Sequence, residues 1–293
     1  MNIPTKTLKN GFSIPTFGLG TWGMGGFREI DKNNDDAADI QAIKNAINLG
    51  VTHIDTAELY AAGHTDELIK EAVKGVDRSQ LFITTKVSQG NQRYQQVKDS
   101  LKNSLKRLGM DYVDLFLLHA PSPDVPVEET MKAMDELVEE GLTKNIGVSN
   151  FTVKQMQRAQ EATKNKIVVN QMHYNLMIRE VEDKGILKYC QESDVLLMTW
   201  RPLQKGELLE TGKDILGKLS SKYERTPAQV AINWLISQKN VVVISKTRSK
   251  AHLLDNLGAV DWKMDEKDVE YLRNEFPNQQ KVSDVSVLKE WEE

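Results

Sequence analysis

Four side chains with complementary proton chemistry lie near the ends of short apolar runs in the first half of the chain. Asp55, Lys86 and His119 each lie at or close to such an end, and Tyr60 follows Asp55 by five positions. A phenol titrates at about pH 10, so alone it protonates a carbonyl oxygen poorly at neutral pH. A neighbouring ammonium stabilises the phenolate, and an imidazole can donate a hydrogen bond to a reacting oxygen. The set therefore indicates proton transfer to a carbonyl oxygen, with Tyr60 as the acid.

The expected roles depend on these groups sharing one cavity. An ammonium about 4 Å from the phenol favours the phenolate by at most about 4 kcal/mol at an effective dielectric constant of about 20. At about 1.4 kcal/mol per pKa unit, Lys86 is expected to bring the pKa of Tyr60 towards neutrality. Asp55 is expected to hold Lys86 charged, and His119 to position the substrate carbonyl. Taken singly, each residue also fits an ordinary structural role, such as capping a turn or packing in the core.

Eight short apolar runs alternate with segments of helical periodicity, which indicates parallel strands joined by helices. The expected strands are 16–19, 52–55, 81–87, 113–119, 144–148, 167–172, 195–200 and 241–245. The expected helices are about 36–49, 66–74, 94–108, 128–140, 152–162, 181–192, 226–238, 250–257 and 266–276. This pattern predicts an α/β fold, a (β/α)₈ TIM barrel, with an open doubly wound sheet as the alternative. In such a barrel the chemistry lies at the carboxyl ends of the strands, where the four residues fall.

No linker or change in composition divides the chain, so a single barrel domain over 1–293 is expected. Asn10-Gly11 between two short polar-apolar stretches predicts an N-terminal β-hairpin at about 5–14. A C-terminal helix and tail are expected at about 265–293.

The composition favours a soluble cytoplasmic protein. Apolar residues make up 40% and charged residues 27% of the chain, and the net charge is -4. Acidic and basic residues are interspersed, which argues against binding to nucleic acid or to an anionic membrane. No apolar run approaches the roughly 20 residues of a membrane span, and the first segment lacks the apolar stretch of a signal peptide. The single cysteine, Cys190, rules out an internal disulfide, and a monomer is expected.

A glycine pattern near the N-terminus suggests a dinucleotide-binding motif that its surroundings do not support. Residues 18–23, GLGTWG, match G-x-G-x-x-G after a strand. That motif requires its third glycine to open a helix at the pyrophosphate, but helical periodicity begins only near Asp36. We interpret the segment as a flexible loop after the first barrel strand.

Residues 50–60, GVTHIDTAELY, together with Gly63, resemble the first signature of the aldo-keto reductase family. Lys86 and the sequence Leu117-Leu118-His119 complete that family's Asp-Tyr-Lys-His tetrad, and the likeness extends from about 18 to 256. The resemblance implies reduction of an aldehyde or ketone to an alcohol, with a small-molecule carbonyl compound as substrate. It implies NADPH as the cofactor, with NADH as the alternative, and no metal ion.

The resemblance also assigns binding residues. Ser149, Asn150 and Gln171 would hold the nicotinamide carboxamide, and Lys246 the extra phosphate of NADPH. The substrate-binding residues would be Trp22, Tyr60 and His119. The full set for the cofactor is Gly20, Thr21, Trp22, Asp55, Ser149, Asn150, Gln171, Trp200, Arg201, Leu203, Lys246, Thr247, Arg248, His252 and Asn256.

Three residues depart from the family pattern. Trp200 stands where members often have a Tyr that stacks on the nicotinamide; an indole can also stack, or simply be a buried strand end. Arg201 replaces a small residue and would contact the pyrophosphate or form a surface ion pair. His252 replaces an Arg that grips the extra phosphate, which weakens the expected preference for NADPH.

The substrate pocket is expected to be open, because the loop 120–126 is short and the tail after Phe276 is brief and polar. An apolar wall is expected from Trp22, Met24, Phe27 and Leu59.

Two other functions compete with carbonyl reduction. A metal-dependent hydrolase would use the strand-end residues His53, Asp55, His119 and His173, but Lys86 would place a positive charge beside the metal ion. A non-catalytic accessory subunit of the same fold would bind the cofactor without turnover. The physiological substrate and the direction of flux stay open.

Overall fold

Eight parallel strands close into a barrel in the computed structural model, which describes residues 1–286 and 288. Each strand pairs with the next along the chain, and the last pairs with the first. The predicted (β/α)₈ fold is therefore confirmed. The barrel strands are β3 (Phe17–Gly20), β4 (His53–Asp55), β5 (Phe82–Val87), β6 (Leu115–Leu118), β7 (Ile146–Ser149), β8 (Ile167–His173), β9 (Leu196–Trp200) and β10 (Val241–Ser245).

The predicted hairpin precedes the barrel and closes its amino-terminal end. Strands β1 (Thr5–Thr7) and β2 (Ser13–Pro15) pair antiparallel. Leu8, Phe12 and Ile14 of this hairpin pack into one apolar cluster with interior residues such as Leu117 and Met198. Because this end of the barrel is filled with apolar side chains, polar groups are left to the opposite end.

Helices surround the barrel and bury one apolar face each. Among the described residues they are α1 (Asp36–Asn48), α2 (His64–Ala72), α3 (Tyr94–Leu108), α4 (Val127–Glu139), α5 (Val153–Glu161), α6 (Glu180–Asp183), α7 (Ile186–Glu192), α8 (Glu207–Thr211), α9 (Lys213–Tyr223), α10 (Pro227–Ser237), α11 (Lys250–Leu257) and α12 (Glu266–Glu275). Local sequence explains several boundaries. Thr152 and Thr226 cap α5 and α10 through capping boxes, and Gly109 ends α3 in the left-handed conformation.

Two helical expectations were wrong. The single helix expected at 181–192 is divided into α6 and α7, because Gly185 adopts a left-handed conformation with φ of 68° between them. Helices α8 and α9 were not predicted at all. They occupy a segment rich in glycine and charge, where the apolar periodicity is short.

The segment 18–23 does not open a helix, as the sequence indicated, but the expectation of a loop was wrong for residues 18–20, which belong to strand β3. The first helix after it, α1, begins only at Asp36. Gly18 has a packing role instead, because a Cβ atom there would lie 2.3 Å from Nδ1 of the buried His53 ring.

The tail beyond α12 packs against the barrel mouth. Gln280 exchanges backbone hydrogen bonds with the loop after β8, accepting from Arg179 N at 2.9 Å and donating to Met177 O at 2.7 Å. Ser283 is buried, and its Oγ lies 2.7 Å from His173 Nδ1 at the end of β8. The described part of the tail, through residue 286, therefore packs against the mouth; residues 287 and 289–293 of the expected tail lie outside the described residues. In the part of the chain that is described, no helix has the length and apolar character needed to cross a membrane.

Candidate active site

The ammonium of Lys86 joins the catalytic candidates at the carboxyl end of the barrel. Its Nζ atom donates to Asp55 Oδ1 at 2.6 Å, to the Thr56 carbonyl at 2.7 Å and to the Tyr60 hydroxyl at 3.1 Å. Lys86 is fully buried and Asp55 is 1% exposed. The expectation that these groups pair around one site is therefore met by direct contacts.

Strand register and a tight turn bring these side chains together. Asp55 ends β4 opposite Gly20, the last residue of β3, and its carbonyl accepts from Thr21 Oγ1 at 2.9 Å. Tyr60 begins a short helical turn in which Ala61 and Ala62 have φ of 48° and 52°. Such left-handed conformations are unfavourable for alanine, so the turn must be held by its surroundings.

The electrostatic environment of Tyr60 differs from the expectation. Burial raises the pKa of the Tyr60 phenol above its ordinary value; Lys86 opposes this rise and Asp55 adds to it. The expectation that Lys86 brings this pKa towards neutrality was wrong. The reason is that burial of the phenol outweighs the stabilisation of the phenolate by Lys86.

Lys86 itself is held as a cation. Burial acts to lower its pKa, but attraction to Asp55 and Tyr60 and the bonds to both raise the pKa above its ordinary value. The site therefore contains a charged ammonium next to a protonated phenol at neutral pH.

His119 is a neutral hydrogen-bonding group beside Tyr60. The two ring centroids are 5.8 Å apart. Burial lowers the pKa of His119 to about 3, assisted by the charges of Lys86 and Arg28. Its ring makes no hydrogen bond to another described residue, and Nδ1 is buried without a partner whereas Nε2 is not. The nitrogen that can donate an N–H to a bound molecule is therefore Nε2.

The three residues assigned to the nicotinamide carboxamide form one network with the tetrad. Gln171 Nε2 donates to Asp55 Oδ2 at 2.7 Å, and Ser149 Oγ donates to the Gln171 carbonyl at 2.9 Å. Asn150 Nδ2 donates to Ser149 Oγ at 3.0 Å and to the His119 carbonyl at 3.1 Å. Within the described residues, neither Asn150 Oδ1 nor Gln171 Oε1 accepts a hydrogen bond. Both oxygens can therefore accept from an amide group.

Trp200 and Arg201 face the tail. The Trp200 ring is half-buried and stacks on His173, with centroids 4.1 Å apart and planes inclined by 11°. Arg201 lies 3.6 Å from Asp284 of the tail, so it forms the ion pair that was one alternative for it. Its contact with a pyrophosphate stays a prediction, as does a cofactor contact of the half-buried Leu203.

The basic residues that follow β10 and were assigned to the cofactor differ in whether they are free to bind it. Lys246 and His252 are exposed, and Lys246 makes no ion pair with another described residue. Arg248 is committed elsewhere: its Nη2 atom donates to buried Asp39 at 2.9 Å and to the Gly23 carbonyl at 3.0 Å.

Two further residues assigned to the cofactor make contacts within the chain. Asn256 is buried and donates to Ser245 Oγ at 3.3 Å. Thr247 Oγ1 accepts from Ser249 N at 3.1 Å. Their contacts with the cofactor stay predictions.

Comparison with known proteins identifies the family. Residues 16–274 match the model of the Aldo/keto reductase family. The chain belongs to this family. It is 33% identical over 287 residues to the methylglyoxal reductase DkgB of Escherichia coli, which covers 96% of this chain and 100% of that protein.

Solved structures of aldo-keto reductases have the same fold. The thermostable aldo-keto reductase Tm1743, crystallised with the inhibitor epalrestat, has a TM-score of 0.89 at 41% identity and covers 92% of this chain and 99% of its own. An aldo-keto reductase from Klebsiella pneumoniae, crystallised with NADP and acetate, has a TM-score of 0.83 at 29% identity. The match covers 94% of this chain and 96% of that one. The resemblance inferred from the motifs is confirmed, and the chain is an oxidoreductase of the aldo-keto reductase type.

Two buried carboxylates of this aldo-keto reductase support the site and were not predicted from the sequence. Asp66 accepts from Thr56 Oγ1 at 2.9 Å and from Arg107 at 3.0 Å, which fixes the residue whose carbonyl binds Lys86. Asp39 binds Arg248 and the Gly25 N–H. A signal for Asp39 was present, because it lies three, four and seven positions before the buried Ala42, Ile43 and Ala46 of α1.

The apolar wall expected in this aldo-keto reductase is only partly in place. Trp22 packs against Tyr60, with ring centroids 4.9 Å apart, and Phe27 packs on Trp22 at 5.7 Å. Leu59 is half-buried. Met24 cannot contribute, because its side chain is fully buried in the core.

Proposed function

We propose that this chain reduces aldehydes or ketones to alcohols with NADPH, and with NADH less effectively, using Tyr60 as the proton donor. The observation that carries this proposal is the Lys86 ammonium bonded to both Asp55 and Tyr60 at the barrel mouth. The NADP found in the Klebsiella pneumoniae structure supports the choice of cofactor. The substrate is a small carbonyl compound; methylglyoxal is the first to test, because the relative from Escherichia coli is a methylglyoxal reductase.

Tyr60 is suited to donate a proton because it is protonated at rest. As negative charge develops on the carbonyl oxygen, the phenolic proton moves to that oxygen and leaves a phenolate. The Lys86 ammonium, 3.1 Å from the hydroxyl, stabilises this phenolate until solvent returns a proton. The neutral His119 donates a hydrogen bond that orients the same oxygen.

The residues of the mouth fit a nicotinamide cofactor, which supplies a hydride when bound. The free oxygens of Asn150 and Gln171 would accept from its carboxamide, and Trp200 would offer a flat apolar surface to its ring. Lys246, which carries no ion pair with a described residue, would bind the extra phosphate.

Replacement of Tyr60 by phenylalanine tests the assignment. We expect Tyr60→Phe to lower kcat for methylglyoxal by about 10²-fold or more, because the general acid is lost. The Kd for NADPH, measured by fluorescence quenching, should change little. Tyr189→Phe, distant on α7, serves as a control for the loss of a tyrosine hydroxyl. Turnover by Tyr60→Phe at the parental rate would show that another group donates the proton.

Absence of turnover with any aldehyde or ketone, despite tight NADPH binding, would instead favour the accessory-subunit alternative. We also propose a cytoplasmic monomer, which light scattering coupled to gel filtration and cell fractionation would check.

A further inference from the structure

The loop between β3 and α1 places Arg28 beside the turn Tyr60–Gly63, which presents the proton donor. The backbone N–H groups of Ala61 and Ala62, which follow Tyr60, donate to the carbonyls of Phe27 and Arg28 at 2.6 and 2.8 Å. The position of Arg28 is therefore tied through the main chain to the turn that presents the proton donor.

This loop is anchored at several other points. Gly25 N donates to the buried carboxylate of Asp39 at 2.9 Å, and Thr65 Oγ1 donates to the Met24 carbonyl at 2.7 Å. Asp31 N donates to the Gly25 carbonyl at 2.9 Å. Because both sides of Arg28 are fixed, its guanidinium starts from a defined place beside the mouth.

The guanidinium of Arg28 has no partner among the described residues. Three other cations around the mouth are paired: Lys86 with Asp55, Arg201 with Asp284 and Arg248 with Asp39. Arg28 is exposed, and its guanidinium forms no ion pair or hydrogen bond with another described residue. Its charge nevertheless acts on the catalytic site, because it contributes to the lowered pKa of His119.

We propose that Arg28 binds a carboxylate of the substrate, so that the preferred substrates are oxo acids rather than uncharged carbonyl compounds. The planar guanidinium matches a carboxylate with two parallel hydrogen bonds, and it is weakly hydrated for a cation. The exposed ring of Phe27 and the ring of Trp22 would cover the apolar part of the same molecule. This inference rests on the proposed carbonyl reduction and adds the class of substrate.

Two aldehydes of nearly equal shape provide the test. p-Carboxybenzaldehyde carries a carboxylate where p-nitrobenzaldehyde carries an uncharged group of the same outline. The measured quantity is the ratio of their kcat/KM values. We expect Arg28→Met to lower this ratio about tenfold, through KM for the carboxylate substrate, as for loss of one partly exposed charge-assisted contact. Arg28→Lys should recover part of the ratio.

Lys32→Met is the matched control, because it removes another exposed cation from the same loop and should leave the ratio unchanged. Raising the ionic strength should increase KM for the carboxylate substrate in the unaltered protein more than in Arg28→Met.

Separate outcomes identify which proposal fails. An unchanged ratio in Arg28→Met, or an equal loss of kcat/KM for both aldehydes, would overturn the assignment of Arg28. An unaltered protein that reduces neither these aldehydes nor any other carbonyl compound would overturn the proposed reductase function itself.

Discussion

Loss of the Lys86 ammonium should lower the free energy of unfolding as well as the catalytic rate. Lys86→Met removes the partner of Asp55, which is 1% exposed. The attraction across 2.6 Å is about 6 kcal/mol at an effective dielectric constant of about 20, and burial of the two charges offsets part of it. Removing one member of a buried pair leaves the other charge unpaired. We therefore expect Lys86→Met to lower the free energy of unfolding by about 3–5 kcal/mol at pH 7.

A double-mutant cycle isolates the interaction between the two groups. Asp55→Asn alone should also destabilise, because it leaves the ammonium of Lys86 uncompensated. The double variant Lys86→Met/Asp55→Asn removes both charges, so its loss should be smaller than the sum of the single losses by about 2 kcal/mol or more. Urea unfolding followed by circular dichroism measures each free energy.

The exposed pair Lys74–Glu71 provides a matched control, because its N–O distance is also 2.6 Å while its side chains are 65% and 47% exposed. The cycle Lys74→Met/Glu71→Gln should give a coupling of about 0.5 kcal/mol or less, since water screens the pair. If the coupling between Lys86 and Asp55 is no larger than that of the control, the two charges do not interact as the geometry requires.

Three further variants test the surroundings of the site. Lys246→Met should raise the Kd for NADPH about tenfold while changing the Kd for NADH little; fluorescence titration giving equal effects would remove the phosphate assignment. Burial lowers the pKa of His173 to about 4, so the folded state binds fewer protons than the unfolded state between about pH 6.5 and pH 4. The stability that comes from keeping His173 neutral is therefore fully present above the unfolded pKa and is lost as the pH falls towards 4. The free energy of unfolding in urea should accordingly decline less steeply with falling pH in His173→Gln than in the unaltered protein. Asp39→Ala should cost about 2 kcal/mol of unfolding free energy, because the buried Gly25 N–H loses its acceptor; an unchanged urea midpoint would contradict this.

The proximity of Asp55 and Lys86 could be predicted because it depends on local pattern and barrel topology alone. Asp55 and Lys86 each lie in an apolar run, and parallel neighbouring strands place the ends of such runs side by side. Contacts that irregular segments make with distant helices and strands could not be predicted this way. Arg248, in the loop after β10, meets Asp39 of α1 across 209 positions, and Ser283 of the tail meets His173 of β8 across 110. These contacts depend on the path of a segment of irregular conformation, which periodicity does not specify.

The pKa of Tyr60 was mispredicted for a related reason. The sequence places an ammonium near the phenol, but the sign of the net pKa shift depends on how completely the folded chain removes the phenol from water. Burial is the largest influence on the pKa of Tyr60 and raises it, Asp55 adds to the rise, and the attraction of Lys86 does not reverse it. The buried phenol therefore keeps its proton.

A phenol that stays protonated at rest serves as a proton donor better than a strongly acidified phenol would. Reduction of a carbonyl group consumes the protonated form of Tyr60, and at neutral pH nearly all molecules are in that form when the pKa is raised. A phenol ionised at rest would have no proton to give and would repel the negative charge that develops on the carbonyl oxygen. Lys86 therefore matters most after the proton has moved, when the new phenolate lies beside an ammonium that is already in place.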